Sequence, residues 1–368
     1  MNTRTVFIPL TLVIVSQGAM AQAGPATGRT ADANEAWRQC TLLSSDPAAR
    51  LACFDRLPQP PQSSALVPAV PAQEPVAAAQ PDCHNGKQSA LSRLWELEAD
   101  SDCGRFGIRG YRPISLSWIT SDSVNTAPSS PTPGHTADYQ PYLPTEGRIQ
   151  LSVRTKVGQG FLPDSISGGH DSLWFAYTQQ SYWQIFTSSI SRPFRNTDHE
   201  PEFIYILPTP ADLPAGWRLR YSGVSLTHQS NGQSLPLSRS WNRLIWMAGM
   251  EKDQRFAITG RLWNRITDGD GIDDNPDIED FVGRGELSGT WNVNKDNALI
   301  LTMRHSMSQP ANGSWRLEWL QTLGNDERGR QTSGLRAHVQ LFSGYGDSLV
   351  DYNRWRTVLS IGLSLVDW

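Results

Sequence analysis

Arg148-Ile-Gln-Leu-Ser-Val-Arg-Thr-Lys-Val157 is the stretch on which the reading of the fold turns. Arg148, Gln150, Ser152, Arg154 and Lys156 fall on one phase of a period of two, and Ile149, Leu151, Val153 and Val157 on the other. Alternate strand residues point to opposite faces, so this segment is a strand with one wet face and one apolar face. Its length, about ten residues, is what a tilted membrane-crossing strand requires.

The same alternation recurs on both sides of it. Near the C-terminus Leu335, Ala337, Val339 and Leu341 alternate with Arg336, His338 and Gln340. Strands are predicted near 111–120, 147–157, 172–185, 202–208, 217–230, 239–251, 254–265, 281–293, 298–307, 312–323, 334–345 and 356–366. Twelve is an even number, as a closed antiparallel outer-membrane barrel with both ends in the periplasm demands. The predicted fold is therefore all-β: a 12-stranded transmembrane barrel over residues 108–368 with an N-terminal periplasmic extension. Trp368 suits a terminal aromatic, although it is out of phase with Leu359, Ile361, Leu363 and Leu365. A soluble barrel or sandwich would alternate too. Repeated Arg and Lys on one strand face, an export signal and an aromatic excess point instead to a polar lumen inside a lipid-facing wall.

Residues 1–21 supply that signal, with Arg4, an apolar run from Val6 to Val15 and the small-residue end Ala19-Met20-Ala21. The run is too short to span a bilayer as a helix. The aromatic excess is 14 Trp, 9 Tyr and 11 Phe in a chain of mean hydropathy −0.42; indole and phenol rings favour the half-wet membrane interface. With 32 basic and 36 acidic residues, nothing suggests a nucleic-acid partner.

Residues 22–107 form the extension. Helix formers on either side of a Ser-Ser-Asp-Pro break in 32–56 suggest two short helices, Pro58 to Pro81 is a Pro/Ala/Gln-rich linker, and a short helix is expected around Ser89 to Ala99. Cys40, Cys53, Cys83 and Cys103 all lie here, in an oxidising compartment where disulfides persist. Three pairings are possible; Cys40 with Cys53 and Cys83 with Cys103 close the shortest loops.

Chemistry concentrates in Tyr221-Ser-Gly-Val-Ser-Leu-Thr-His228-Gln-Ser230-Asn-Gly232-Gln-Ser-Leu-Pro-Leu-Ser238-Arg-Ser-Trp-Asn242. Val224, Leu226, His228 and Ser230 share one strand face, and Asn242, Leu244, Trp246 and Ala248 share another. A hairpin that pairs Ser230 with Ser240 sets His228 opposite Asn242 on the same outer surface, with Cβ atoms about 4.5 to 5.5 Å apart. A serine needs a base, and the base needs a third group on its other nitrogen. The bland alternative is that His228 and Ser230 are ordinary polar residues rising into a loop.

His228-Gln-Ser-Asn-Gly followed by Ser238-Arg-Ser-Trp-Asn242-Arg resembles the active-site signature of the outer membrane phospholipase A family. Tyr177-Thr-Gln-Gln-Ser-Tyr-Trp-Gln184, Pro193-Phe-Arg-Asn-Thr, Glu200-Pro201, Asp273-Asp-Asn-Pro-Asp-Ile278 and Ser343-Gly-Tyr-Gly-Asp-Ser-Leu-Val-Asp-Tyr-Asn353 are similar to that family in the same order. The resemblance covers roughly residues 108–368. It implies Ser230 as nucleophile, His228 as base, Asn242 as orienting group and the Gly232 N–H as an oxyanion donor. It also implies Ca2+, one per active site at a homodimer interface, held by the Ser238 hydroxyl and the Gln233 carbonyl of one subunit and the Ser191 carbonyl of the other. Its bound water would complete the oxyanion site. Gln179 is placed at a polar contact between barrels; the other reading turns it into the lumen.

The activity so implied is phospholipase A1/A2 and lysophospholipase hydrolysis of phospholipid in the outer leaflet of the outer membrane, switched on by dimerisation. One departure stands out: where better-known members carry an Asp that joins Asp274 in an additional calcium site, this chain has Leu235. No additional site is expected, and Asp273 to Asp277 can equally be a solvated acidic loop. A non-enzymatic channel or adhesin barrel is the chief rival reading, and a lipid A deacylase, which lacks the quoted stretches, is a third.

Overall fold

The computed structural model describes residues 38–43, 46–56, 88–168, 170–267, 273–324 and 334–365. The expected signal segment, the expected linker at 58–81, Cys83 and Trp368 lie outside the described residues. Two compact units result, Met1–Pro75 and Val76–Trp368.

In the first unit, helix α1 (Pro47–Asp55) starts where the sequence is best suited to start one. Asp46 caps the backbone N–H groups of Ala48 and Ala49, and Pro47 needs no partner for an N–H it lacks. A disulfide joins Cys40 to Cys53, the short-loop pairing. Cys103, in the second unit, is disulfide-bonded as well.

The second unit is built on twelve long strands: β1 (Ile114–Ser121), β2 (Thr145–Gln159), β3 (Ser172–Trp183), β4 (Asn196–Asp212), β5 (Arg218–Ser230), β6 (Ser240–Lys252), β7 (Phe256–Ile266), β8 (Gly285–Asn292), β9 (Asn297–His305), β10 (Gly313–Thr322), β11 (Leu335–Gly344) and β12 (Arg356–Leu365). Each pairs antiparallel with its sequence neighbours, and β12 pairs with β1, Ile361 opposite Trp118, which closes the barrel. All twelve expected strands are present. Three differ by three residues or more at an end, and the eighth starts at Gly285 rather than 281 because Ile278–Phe281 is a short helix. The first does not begin at 111, because Tyr111 turns inward to become buried and Pro113 has no N–H to give; upstream, only Arg109–Gly110 pairs onto β2. The fourth is far longer than 202–208, since Asn196 to Pro201, polar and ending in proline, still pairs with β3.

The wet face of β2 is inside: Arg148, Ser152, Arg154 and Lys156 are buried. Charges there are matched across the lumen. Arg112 meets Glu200 at 2.8 Å and Glu202 at 3.2 Å, Arg243 meets Glu200 at 3.2 Å, and Arg261 meets Glu202 at 2.6 Å. A buried charge is tolerable when it is paired and hydrogen-bonded. The barrel encloses a cavity of about 1120 Å³, lined by this network.

Helix α2 (Ala90–Trp95), capped by Ser89, fills the end of the lumen at which β2 finishes. Leu91, Trp95 and Leu97 join Trp174, Tyr221 and Tyr111 in one apolar cluster, while Glu96 reaches Arg109 and Lys156, each at 2.6 Å. The barrel unit therefore takes in chain upstream of residue 108, the boundary expected for it. Outside, Leu116, Leu151, Phe203, Leu226, Leu262 and Leu287 stand exposed. Tryptophans gather toward the two rims: Trp291 stacks on Phe256 near one, ring centroids 6.1 Å apart, and Trp183 meets Phe194 edge-on near the other at 5.9 Å.

Candidate active site

β5 and β6 form a hairpin with Ser230 opposite Ser240 and His228 opposite Asn242. His228 is exposed and Asn242 half-buried, on the same outer face as Leu226 and Trp246. Asn242 Oδ1 lies 2.8 Å from His228 Nδ1. A carboxamide oxygen only accepts, so the Nδ1 proton points at Asn242 and the Nε2 lone pair is left free. Ser230, two residues on, shares that face at the rim away from α2.

The loop after Ser230 is tied by a residue that the sequence reading passed over. Asn231 is buried; its N–H donates to the Arg239 carbonyl at 3.0 Å, its Oδ1 accepts from the Arg239 N–H at 3.0 Å, and its Nδ2 donates to the Leu237 carbonyl at 2.7 Å. This clamp hands the chain to Gly232 at φ +62°, a conformation that favours glycine. Among the described residues the Gly232 N–H has no partner, so it is available two positions past the nucleophile candidate.

The residues named for calcium fall on loops of this same rim. Ser238 Oγ donates to Asp274 Oδ2 at 2.6 Å, which leaves the lone pairs of the hydroxyl oxygen for a cation. The Gln233 side chain is anchored to the Arg195 carbonyl at 3.2 Å and to Asn196 Oδ1 at 3.1 Å, while its own carbonyl accepts no hydrogen bond among the described residues. The Ser191 carbonyl takes the Trp183 indole N–H at 2.6 Å and keeps a second lone pair. A hydroxyl and backbone carbonyls are oxygen donors of the kind calcium takes, so the residues fit. Asp274 is the acceptor of this Ser238 bond. It also accepts from His135 Nε2 at 3.0 Å, and partial burial pushes its carboxyl up less than the hydrogen bonds from Ser238 and His135 pull it down, so it stays below the usual range.

Gln179 is on the outer phase of β3, opposite His199 of β4, and its amide engages Tyr177 and Ser181 at 3.1 and 3.2 Å. The reading that turned it into the lumen is set aside. The structure adds His199 itself, which pairs with Ser230 on its other side. No signal in the sequence places it there. β4 and β5 are joined after a bulge between Pro208 and Ala211, so their register cannot be counted from the turn.

Comparison with known proteins gives one answer at three levels. The family model for phospholipase A1 matches residues 91–365. A putative phospholipase A1 of Neisseria meningitidis is 37% identical over 75% of this chain and 70% of its own length, and the phospholipase A1 of Escherichia coli K12 is 33% identical over 60% of this chain and 70% of its own. The outer membrane phospholipase A of E. coli superposes with a TM-score of 0.59 at 28% identity, over 70% of this chain and 94% of that one. A Salmonella typhi outer membrane phospholipase, a dimer with bound calcium, gives 0.60 at 28% over 71% and 93%. With three quarters of the chain inside the family model and a closed lipid-facing barrel beneath it, the protein belongs to the phospholipase A1 family and is an outer-membrane β-barrel phospholipase.

Proposed function

We propose that the chain hydrolyses the acyl esters of phospholipids in the outer leaflet, at position one, at position two and in lysophospholipids, with Ser230 as nucleophile, His228 as base and Asn242 as orienting group. The observation that carries the reading is the 2.8 Å contact between His228 Nδ1 and Asn242 Oδ1 on the lipid-facing wall beside Ser230. A polar trio on such a wall is costly unless it serves a function.

Ser230 Oγ adds to the ester carbonyl carbon while its proton passes to His228 Nε2, and the carbonyl electron pair moves onto oxygen. The Gly232 N–H receives that charge. Collapse breaks the bond to the glycerol oxygen, which leaves with the proton from His228. Water, deprotonated by His228, then cleaves the acyl-serine and yields a fatty acid and free Ser230. Ser238, Gln233 and, from the partner subunit of an active homodimer, Ser191 would hold Ca2+, one per active site. When bound, the ion supplies positive charge that polarises the ester carbonyl. The fit of these oxygens and the calcium-bound dimer of the Salmonella typhi relative support this part.

The rival reading as an open channel is disfavoured by Trp95 and Leu91 packed into one end of the lumen. Fatty-acid release from a diacyl phospholipid in detergent, with calcium and with a chelator, tests the proposal: release with calcium that stops on chelation supports it. No release under either condition would overturn it.

A further inference from the structure

On the outer wall of β7 to β10, large and absent side chains stand next to each other. Leu262, Gly285, His305 and Gly313 form one row across the four strands, and Gly260, Leu287, Met303 and Trp315 form the next row away from the rim that carries Ser230. Both rows face outward, since alternate strand residues share a face. The three glycines leave a depression, and two loop residues overhang it. Met307, in the loop after β9, lies across Gly285, where a built Cβ would come within 2.5 Å of Met307 Cε. Trp355, in the loop between β11 and β12, meets Tyr345 edge-on at 5.4 Å, and Tyr345 meets Phe281 at 5.1 Å. The groove so enclosed measures about 590 Å³, inside the range of ~300–1,000 Å³ typical of small-ligand pockets. None of His228, Ser230 and Asn242 lines it.

Position and chemistry decide what fits. The groove opens from the lipid-facing wall six strands round from β3, where Gln179 is proposed to meet a second barrel, so a dimer leaves it in the bilayer. Its sides are apolar, with one donor at the rim end: the Met307 N–H donates to His305 Nδ1 at 2.9 Å, which puts the imidazole proton on Nε2. An alkyl chain suits the sides and a headgroup oxygen suits the donor. We propose that this groove is a lipid-binding site separate from the triad, holding one acyl chain of a membrane phospholipid with an oxygen of its ester or phosphate on the His305 Nε2–H.

A diether phospholipid with a photoreactive diazirine in one alkyl chain tests this, because it has no ester to hydrolyse and the result does not depend on Ser230. It is added as a minor component to nanodiscs of unlabelled diether phospholipid that hold the full-length barrel, and adducts are mapped by peptide mass spectrometry. Trp315 should be labelled about fivefold or more above Trp246 and Trp319, which are at least as exposed on the same wall but lie outside the groove. G260F puts a ring into the groove, where a built Cβ meets nothing within 4 Å, and should remove that excess. G289F adds the same ring in equally open space outside the groove and should keep it. W355A takes away the overhang and should lower it. Heat-modifiable gel mobility checks that each variant is folded. Trp315 labelled no more than Trp246 and Trp319 overturns the proposal, as does a folded G260F or W355A that labels as the native barrel does. Trp315 labelling that rises as dimers are diluted to monomers would mean that a second copy covers the groove, and overturns it too.

Discussion

The Ser238 hydroxyl donates to Asp274 Oδ2 over 2.6 Å, and the same carboxylate takes His135 Nε2 at 3.0 Å on its other oxygen. Loop 122–144 and the loop after β7 are thereby tied together behind the Ser238 oxygen proposed to hold calcium. Ser130 Oγ adds a bond to the Asp274 carbonyl at 2.5 Å.

Outer partners of metal ligands orient them, and their loss costs roughly 10- to 100-fold in affinity. Asp274→Ala should therefore raise the calcium concentration for half-maximal activity about 10-fold without touching the triad, and Ser238→Ala should raise it further. Calcium titration of fatty-acid release measures both. An unchanged midpoint in Asp274→Ala would show that Ser238 is not held for a cation.

Ser230→Ala should fold normally, since its side chain stands at the rim of a ladder that other residues sustain, and should lose about 10³-fold or more in kcat. Asn242→Ala should lose less, because proton transfer survives while the tautomer of His228 is no longer set. Steady-state kinetics beside a gel-mobility check of folding separates the two. Equal losses would remove Asn242 from its orienting role.

Gln179 faces outward with its amide already engaged by Tyr177 and Ser181, so its contribution between barrels should be modest. Polar contacts between membrane segments average about 0.6 kcal/mol. Gln179→Ala should weaken dimerisation about threefold, and specific activity should follow the dimer fraction as detergent dilutes the protein. Crosslinking and activity on the same samples check this; activity constant from dimer to monomer would sink the dimer requirement.

Asp351, in the loop between β11 and β12, is buried, and burial alone would push its carboxyl up. Arg195 and Arg356, at 3.3 and 2.7 Å, with the Ser348 hydroxyl at 2.8 Å, win instead and bring it down to about 2. A depressed folded value means that the stabilisation is whole above the ordinary value near 4 and is lost as pH falls toward 2. Resistance of the rim loops to an acid-active protease should hold at pH 5 and decline between about pH 4 and 2. In Asp351→Asn that decline should flatten.

The strands were legible because the lumen is charged and the wall apolar, so every crossing carries the period of two; Arg148 to Lys156 shows it as plainly in sequence as in structure. The β5–β6 register was legible for the same reason, with His228 and Asn242 each on an apolar phase that has only one way to meet. What stayed hidden depends on contacts distant in sequence. Asn196 to Pro201 has no apolar phase, so strand character there comes only from pairing with β3. His199 reaches Ser230 through a register that the bulge at Pro208 resets. Trp95 and Glu96 gave no sign that they enter the lumen, because a short helix with one Trp reads alike wherever it docks.

If Ser230 is the nucleophile, its place on the outside of the barrel means that it meets substrate sideways. Lipid need not leave the bilayer or thread a pore; it arrives by lateral diffusion in two dimensions, and both products are released into the same sheet. Turnover should then follow the mole fraction of phospholipid in the surface rather than its bulk concentration, and detergent that swells the micelle should act as a diluent even when total lipid is fixed. The lumen behind that wall is lined by paired charges, a poor path for acyl chains.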